Sequence, residues 1–200
     1  MTRPAAVGLA VAILVLAPAP TAADLRLERH THGDAIALSA WLDVDASPED
    51  VWSVITDYDG MSRFVPGLKR SQRVARTPEG PVVDQEGVAR VFLVGARMSV
   101  RLQMREVPPM ALAFRALSGD LKPFSGVWEI DPAPNGRSRL GCRCSLRRRS
   151  GMPASAMAWV AGEELKPRMR ALGREAERRA RLAGRAAPPK AREKPWFWPF

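Results

Sequence analysis

The chain has 200 residues, of which 46% are hydrophobic and 26% are charged, and this composition excludes a polypeptide too polar to bury a globular core. Its formal net charge is +10, but only five of the 31 basic residues are lysine, a bias that genomic base composition produces as readily as selection for an anionic partner. Most of the surplus lies after residue 150, where 11 residues are basic and five are acidic. The body of the chain is therefore nearly balanced, and we expect no nucleic-acid partner.

The first 23 residues have the pattern of an export signal. Arg3 precedes an uncharged apolar run over residues 5–16, and the small residues Thr21 and Ala23 fit a cleavage site. The run is too short for a spanning helix, which needs about 20 residues. We predict a signal peptide cleaved near Ala23 and a periplasmic or secreted protein; an uncleaved anchor is the alternative.

Two strands and a short helical region open the mature chain. Predicted strands over Leu25–Thr31 and Ala35–Val44 flank a tight turn at Gly33-Asp34, and the second strand alternates apolar and polar residues. A helix that begins at Ser47, a residue type that caps helices well, is followed by a second short helix over Met61–Val65.

Strand patterns dominate the middle of the chain, separated by turns that include an Asn135-Gly136 hairpin signal. The predicted strands cover residues 68–76, 82–90, 92–104, a stretch from Met110 to the turn at Ser118, 124–130 and 140–146. The clearest places Phe92, Val94, Ala96, Met98, Val100, Leu102 and Met104 on one face and Arg97, Ser99, Arg101, Gln103 and Arg105 on the other. An apolar (dry) face that packs on the core and a polar (wet) face exposed to solvent are typical of an antiparallel sheet.

From Pro153 the apolar spacing becomes helical. The stripe consists of Met157, Val160, Ala161, Leu165, Met169, Leu172 and Ala176. Gly184 is expected to end this helix, and a basic tail over 185–200 ends in Trp and Phe residues. We expect the tail to contact a membrane surface or a partner, since basic residues are attracted to anionic lipid head groups and Trp side chains prefer the membrane–water interface. The alternative is a disordered tail without a partner.

The segment VWSVITDYDGMSRFVPGLKRSQRV (51–74) resembles the polyketide cyclase/dehydrase branch of the START-like (SRPBCC) superfamily, which includes coenzyme Q-binding proteins. A Trp in the first helix, an Asp-Tyr turn and a Phe-x-Pro motif occur here as Trp52, Asp57-Tyr58 and Phe64-Val65-Pro66. A later block, SGDLKPFSGVWEI (118–130), is also similar, and the resemblance covers about residues 25–182.

This resemblance implies an α+β helix-grip fold for one domain over residues 24–184. A curved antiparallel sheet is expected to wrap around the long C-terminal helix, with two short helices after the first strand region. The pattern agrees, because the apolar face of a long sheet needs a cover and only the C-terminal helix is long enough to provide it.

The implied cavity between sheet and helix would bind a hydrophobic small molecule. The lining residues that we predict are Phe92, Met98, Leu102, Met104, Phe114, Phe124, Trp128, Cys144, Met157, Ala161 and Leu165. These side chains either line a pocket or fill a solid core, and the implied fold leaves room for a pocket. Asp57, Tyr58 and Phe64 are expected at the cavity mouth, where the polar pair orients a head group or, alternatively, only shapes a turn.

We predict no metal site and no cofactor. His30, His32 and Asp34 have ligand-like spacing on a strand, but the Gly33-Asp34 turn breaks their alignment. Cys142 and Cys144 lie two apart on one strand face, at the limit of disulfide geometry, so we expect free thiols.

The sequence thus favours an exported, non-catalytic binding or carrier protein for a lipid-like or quinone-like molecule. The main alternative is a cyclase or dehydratase that acts on a polyketide-like substrate; it is disfavoured because the body of the domain lacks a histidine. A third hypothesis is a surface interaction module that uses the basic helix and tail.

Overall fold

The structure, a computed structural model, describes residues 25–91, 94–148 and 151–185, and no side chains over 89–95. The expected signal segment, tail residues 186–200 and the predicted lining residue Phe92 lie outside the described residues.

Eight strands and two α-helices make up the described chain. The strands are β1 (Leu25–His32), β2 (Ala35–Val44), β3 (Leu68–Thr77), β4 (Gly80–Val91), β5 (Val94–Val107), β6 (Ala111–Gly119), β7 (Phe124–Ala133) and β8 (Arg137–Arg147). The helices are α1 (Pro48–Ile55) and α2 (Ala154–Leu182). The second short helix is a single 3-10 turn over Met61–Arg63, shorter than predicted.

All eight strands form one antiparallel sheet in the order β1-β2-β8-β7-β6-β5-β4-β3. Pairing of β2 with β8 brings the N-terminal hairpin beside the last strand, and α2 then packs back across β2 and β1 and against α1. This arrangement confirms the helix-grip fold. The predicted hairpin turn is confirmed: the connection from β7 to β8 is Pro134–Gly136, in which Asn135 and Gly136 have positive φ, 62° and 67°.

The inner face of the sheet follows the predicted alternation on its central strands. Ile36, Leu38, Ala40, Leu42 and Val44 of β2 are each at most 2% exposed. In the register of β2 with β8, Ile36 lies opposite Leu146 and Leu38 lies opposite Cys144, so the same face continues across the sheet. Helix α1 begins as expected, with the Ser47 hydroxyl accepting a 3.2 Å hydrogen bond from the Asp50 N–H.

Strand β5 departs from the prediction at its C-terminal end and at two side chains. It runs on to Val107, and Ala96, expected on the apolar face, is exposed. Gln103, expected on the wet face, is only 5% exposed. Its amide donates to the carbonyls of Gly80 and Met104 at 3.1 Å, and its oxygen accepts from the Thr77 hydroxyl, also at 3.1 Å. Burial is tolerated because these polar groups are satisfied locally.

Two glycines let α2 lie directly on the first strands. A Cβ at Gly173 would lie 2.9 Å from Leu42 Cδ2, and one at Gly162 would lie 2.5 Å from Arg29 Nε. Neither helix in the described part of the chain combines the length and apolar character that a membrane crossing demands.

Candidate ligand-binding site

One apolar row of α2 changes its environment along the helix. Towards the C-terminal end, Met169, Leu172 and Ala176 are 0–4% exposed. Towards the N-terminal end, Val160 is buried, but Met157, Ala161 and Leu165 are only half-buried, although they continue the same three- and four-residue spacing. The sheet and α1 therefore cover one end of this row completely and leave its other end partly open.

Phe124 of β7 and Cys144 of β8 face the half-open part of the row. Both are half-buried, and both pack, as Leu165 does, against each of the two apolar clusters of the domain. The larger cluster lies under α1 and the C-terminal half of α2. The smaller one contains Ile36, Leu38, Leu146 and Ala158. We call the region between these clusters, bounded by Phe124, Cys144, Met157, Ala161 and Leu165, the apolar gap.

Gly126 shapes the floor of this gap. A Cβ at this position would lie 2.6 Å from Phe114 Cζ and 2.8 Å from Cys144 Cβ. The missing side chain lets the Phe114 ring lie over the strand, with its centroid 5.0 Å from that of Phe124 at an interplanar angle of 46°. This contact gives a physical reason for the glycine two residues before Trp128 in the 118–130 block.

A recess of about 350 Å³ opens at the end of the apolar gap. Its apolar wall is formed by Leu121, Leu146 and Met157, and its rim carries Asp120, Lys122, Arg147 and Arg148. Leu146 and Met157 also belong to the smaller cluster, so the recess is continuous with the side chains of the gap.

A second recess of about 480 Å³ lies on the other side of Asp120. It contains the predicted lining residue Met98 together with Val88, and Lys69, Glu86 and Arg97 stand at its edge. Asp120 itself accepts hydrogen bonds from the Ser99 N–H at 2.8 Å and the Ser99 hydroxyl at 3.2 Å, which fixes the loop between the two recesses.

The predicted lining residues divide into three groups. Leu102, Met104 and Phe114 are 5–7% exposed and belong to the larger core cluster. Trp128 is half-buried and packs against that cluster. The others that the structure describes border the gap or the recesses: Met98, Phe124, Cys144, Met157, Ala161 and Leu165.

The three residues predicted at the cavity mouth point in different directions. Tyr58 is 2% exposed, and its hydroxyl donates a 2.6 Å hydrogen bond to Glu106 Oε1 on the inner sheet face. Burial, and then this bond to a carboxylate, raise the pKa of Tyr58 above its usual range, so the phenol stays protonated. Asp57 instead accepts a 2.6 Å bond from Arg179, whose guanidinium lies 5.7 Å from the ring centre of the half-buried Phe64.

Sequence reasoning missed the recess rim. Residues 118–120 were predicted as a turn, and Lys122 was part of the 118–130 block but was not singled out, because a lone lysine after a turn carries no pattern. Leu121 and Leu146 are ordinary apolar residues in sequence, and only the pairing of Phe124 with Leu146 brings the 119–123 loop beside the end of β8.

Both cysteines are free thiols, as predicted. A hydrogen bond to Cys144, together with burial, raises the pKa of Cys142, while the same bond lowers the pKa of Cys144. Within the described ranges no cluster of three or more metal-ligating side chains is found, and His30 and His32 are exposed at the end of β1.

Comparison with known proteins identifies a protein family whose model matches most of the chain. The family model for polyketide cyclase / dehydrase and lipid transport matches residues 44–172. No curated protein sequence matches the chain.

Solved structures with a similar fold include a START superfamily protein from Mycobacterium smegmatis, with 18% identity and a TM-score of 0.64 over 71% of this chain and 97% of that one. The Zhui aromatase/cyclase from Streptomyces sp. R1128 is 20% identical, with a TM-score of 0.60 over 80% and 99%. A STAR-related lipid transfer protein from Xanthomonas axonopodis is 12% identical, with a TM-score of 0.60 over 76% and 93%.

Proposed function

Because the chain belongs to the polyketide cyclase/dehydrase and lipid transport family, we propose that it binds and carries a hydrophobic small molecule, lipid-like or quinone-like, without transforming it. The observation that supports this proposal is the half-buried row of Met157, Ala161 and Leu165 opposite Phe124 and Cys144. Apolar surface that the fold leaves partly uncovered is stabilised by a bound apolar molecule, by roughly 25 cal/mol per Å² removed from water.

The position of the only tyrosine favours binding over cyclase chemistry. The Tyr58 phenol is one group with the chemistry for acid–base catalysis, but its hydroxyl is held by Glu106, and Tyr58 belongs to the larger core cluster rather than to the residues of the apolar gap. A general acid or base has to reach the proton that it transfers. The name of the lipid transfer protein from Xanthomonas axonopodis agrees with a binding role, and that of the Zhui aromatase/cyclase with the alternative.

Bulky substitutions in the gap test the proposal. Ala161→Trp and Cys144→Phe should abolish retention of a co-purified or added fluorescent lipid, measured by native mass spectrometry and solvent extraction, while the melting temperature changes little. Ala176→Trp is the matched control, because Ala176 is 0% exposed on the same helix and should unfold the domain through overpacking.

Unfolding of all three variants, together with no ligand on the parent protein, would show that the interior is solid core. A ligand that leaves chemically altered after incubation would instead establish the cyclase alternative.

We also propose that the protein is exported and that tail residues 186–200 contact anionic membrane, whereas Arg185, the first residue of the predicted tail, pairs with Asp50 at 2.7 Å. Support comes from the apolar run before Thr21-Ala22-Ala23 and from the basic, Trp-containing tail sequence. N-terminal sequencing of the exported fraction should give Asp24, and an intact Met1 there would contradict cleavage.

Deleting 186–200 should weaken binding to anionic vesicles with little change in melting temperature; a large change would mean that the tail docks on the domain.

A further inference from the structure

The rim of the first recess has an excess of positive charge. Lys122 and Arg147 are both exposed, and within the part of the chain that the structure describes neither has an ion-pair partner. Arg148, beside them, is bound to Asp34 at 2.7 Å. The rim carboxylate, Asp120, is held by Ser99. Two cations therefore remain available at this end of the apolar gap.

Several other basic side chains on the sheet are neutralised. On its outer face Arg101 pairs with Asp84 at 2.6 Å, Arg139 with Asp43 at 2.9 Å and Arg115 with Glu79 at 2.9 Å. Cross-strand pairing of this kind stabilises a wet sheet face and leaves little net field. Lys122 and Arg147 differ because they stand next to Leu121, Leu146 and Met157, at the boundary between apolar surface and solvent.

We propose that the ligand is an amphipathic anion whose apolar part lies in the apolar gap and whose acidic head group lies in the recess, between Lys122 and Arg147. This inference rests on the proposed binding function and adds a requirement for charge. The shared chemistry is that of a carboxylate or a phosphate monoester on a long apolar body, since both accept charge-assisted hydrogen bonds from an ammonium and a guanidinium. The recess, at about 350 Å³, has room for a head group and the first atoms of a chain.

A matched pair of probes separates charge from apolar binding. Dansyl-labelled undecanoic acid and its methyl ester share the same apolar body, and titration followed by dansyl fluorescence gives both affinities. The acid should bind about tenfold more tightly than the ester, as expected for charge-assisted hydrogen bonds in a partly dry recess.

The double variant Lys122→Gln/Arg147→Gln should lower the affinity for the acid about tenfold and leave the ester unchanged. Arg174→Gln/Arg181→Gln, which removes the same charge from exposed positions of α2, should change neither affinity. Displacement of the acid probe by dodecanoate or by monododecyl phosphate, but not by dodecanol, supports the proposal, and the stronger competitor identifies the head group.

Failure of this inference is distinguishable from failure of the proposed function. Equal affinity for acid and ester, or equal effects of the two double variants, would overturn the acidic head group while leaving an apolar carrier. Absence of binding by either probe to the parent protein, with no co-purified ligand, would overturn both.

Discussion

The two halves of α2 carry the same apolar pattern and have different roles. In the C-terminal half, Met169, Leu172 and Ala176 are fully covered, and Arg179 and Arg185 bind Asp57 and Asp50 of the α1 region at 2.6 Å and 2.7 Å. In the N-terminal half the row is half-buried and ends at a recess. Because α1 covers only one end of the sheet, one end stabilises the fold and the other end retains half-buried apolar surface, which is the surface proposed to bind the ligand.

The polar groups of the two ends differ in the same way. At the closed end acids and bases are paired with one another, including the buried Asp50, which is 3% exposed. At the open end Lys122 and Arg147 have no ion-pair partner in the described ranges. Paired charges hold a helix in place, whereas available charges beside an apolar surface suit recognition.

The largest expected contrast is between two methionines of the same row. Met169→Ala should lower the free energy of unfolding by about 2–5 kcal/mol, because Met169 is 0% exposed and its removal leaves a cavity. Met157→Ala should cost less than about 1 kcal/mol, because Met157 is half-buried beside the recess. Urea denaturation of both variants measures the difference, and equal losses would mean that the two halves are equally well packed.

Thiol reactivity gives the second contrast. Cys142 is 1% exposed with a raised pKa, whereas Cys144 is half-buried with a lowered pKa. Each single variant removes the thiol–thiol hydrogen bond that shifts both pKa values, so exposure decides the rate: in the native state a thiol reagent should modify Cys142→Ala, which keeps the half-buried Cys144, about tenfold faster than Cys144→Ala. Added apolar ligand should slow only the faster reaction. Equal rates in the two variants would contradict a gap beside Cys144.

The fold was predicted from the family resemblance, and local periodicity agreed with it. The alternation of Ile36, Leu38 and Ala40 and the Asn135-Gly136 turn are local signals, and each was confirmed because side-chain period and turn chemistry are set by the nearby backbone.

The site was harder to predict, because one apolar pattern serves both as core and as cavity wall. Leu102 and Met104 alternate on β5 just as Met98 does, yet they are 5% exposed while Met98 borders a recess. That difference depends on which elements pack over each part of the strand, which is a tertiary property. The same reason applies to Tyr58, whose partner Glu106 is 48 residues away in the sequence.

Arg179 links α2 to the α1 region and should contribute modestly to stability. Its guanidinium binds Asp57 at 2.6 Å, Glu175 at 2.8 Å and the Ser53 carbonyl at 3.2 Å, and its side chain is 27% exposed. Arg179→Met should lower the free energy of unfolding by about 1 kcal/mol, as for partly exposed ion pairs. Arg174→Met, at an exposed position of the same helix, is the control and should leave the urea midpoint unchanged. No loss in Arg179→Met would show that apolar packing alone closes this end.

The smallest expected effect is a pH dependence at the closed end. Glu175 accepts 2.7 Å hydrogen bonds from Arg178 and a 2.8 Å bond from Arg179. The bonds from Arg178, opposed by burial and assisted by Arg179, lower the pKa of Glu175 from 4.5 to about 2. A carboxylate with a lowered pKa in the folded state contributes stability that is complete above its unfolded value and is lost as the pH falls through the folded value.

The stability difference between the parent protein and Glu175→Gln should therefore be largest at neutral pH, shrink below about pH 4.5 and vanish near pH 2. Urea midpoints of the two proteins at pH 7, 4 and 3 measure it, and their difference cancels every other carboxylate that titrates in both. Glu177→Gln, which removes one negative charge from the same stretch of α2, controls for the change in net charge. A difference that stays constant with pH would mean that the two arginines stabilise α2 through their packing rather than through the ionised carboxylate.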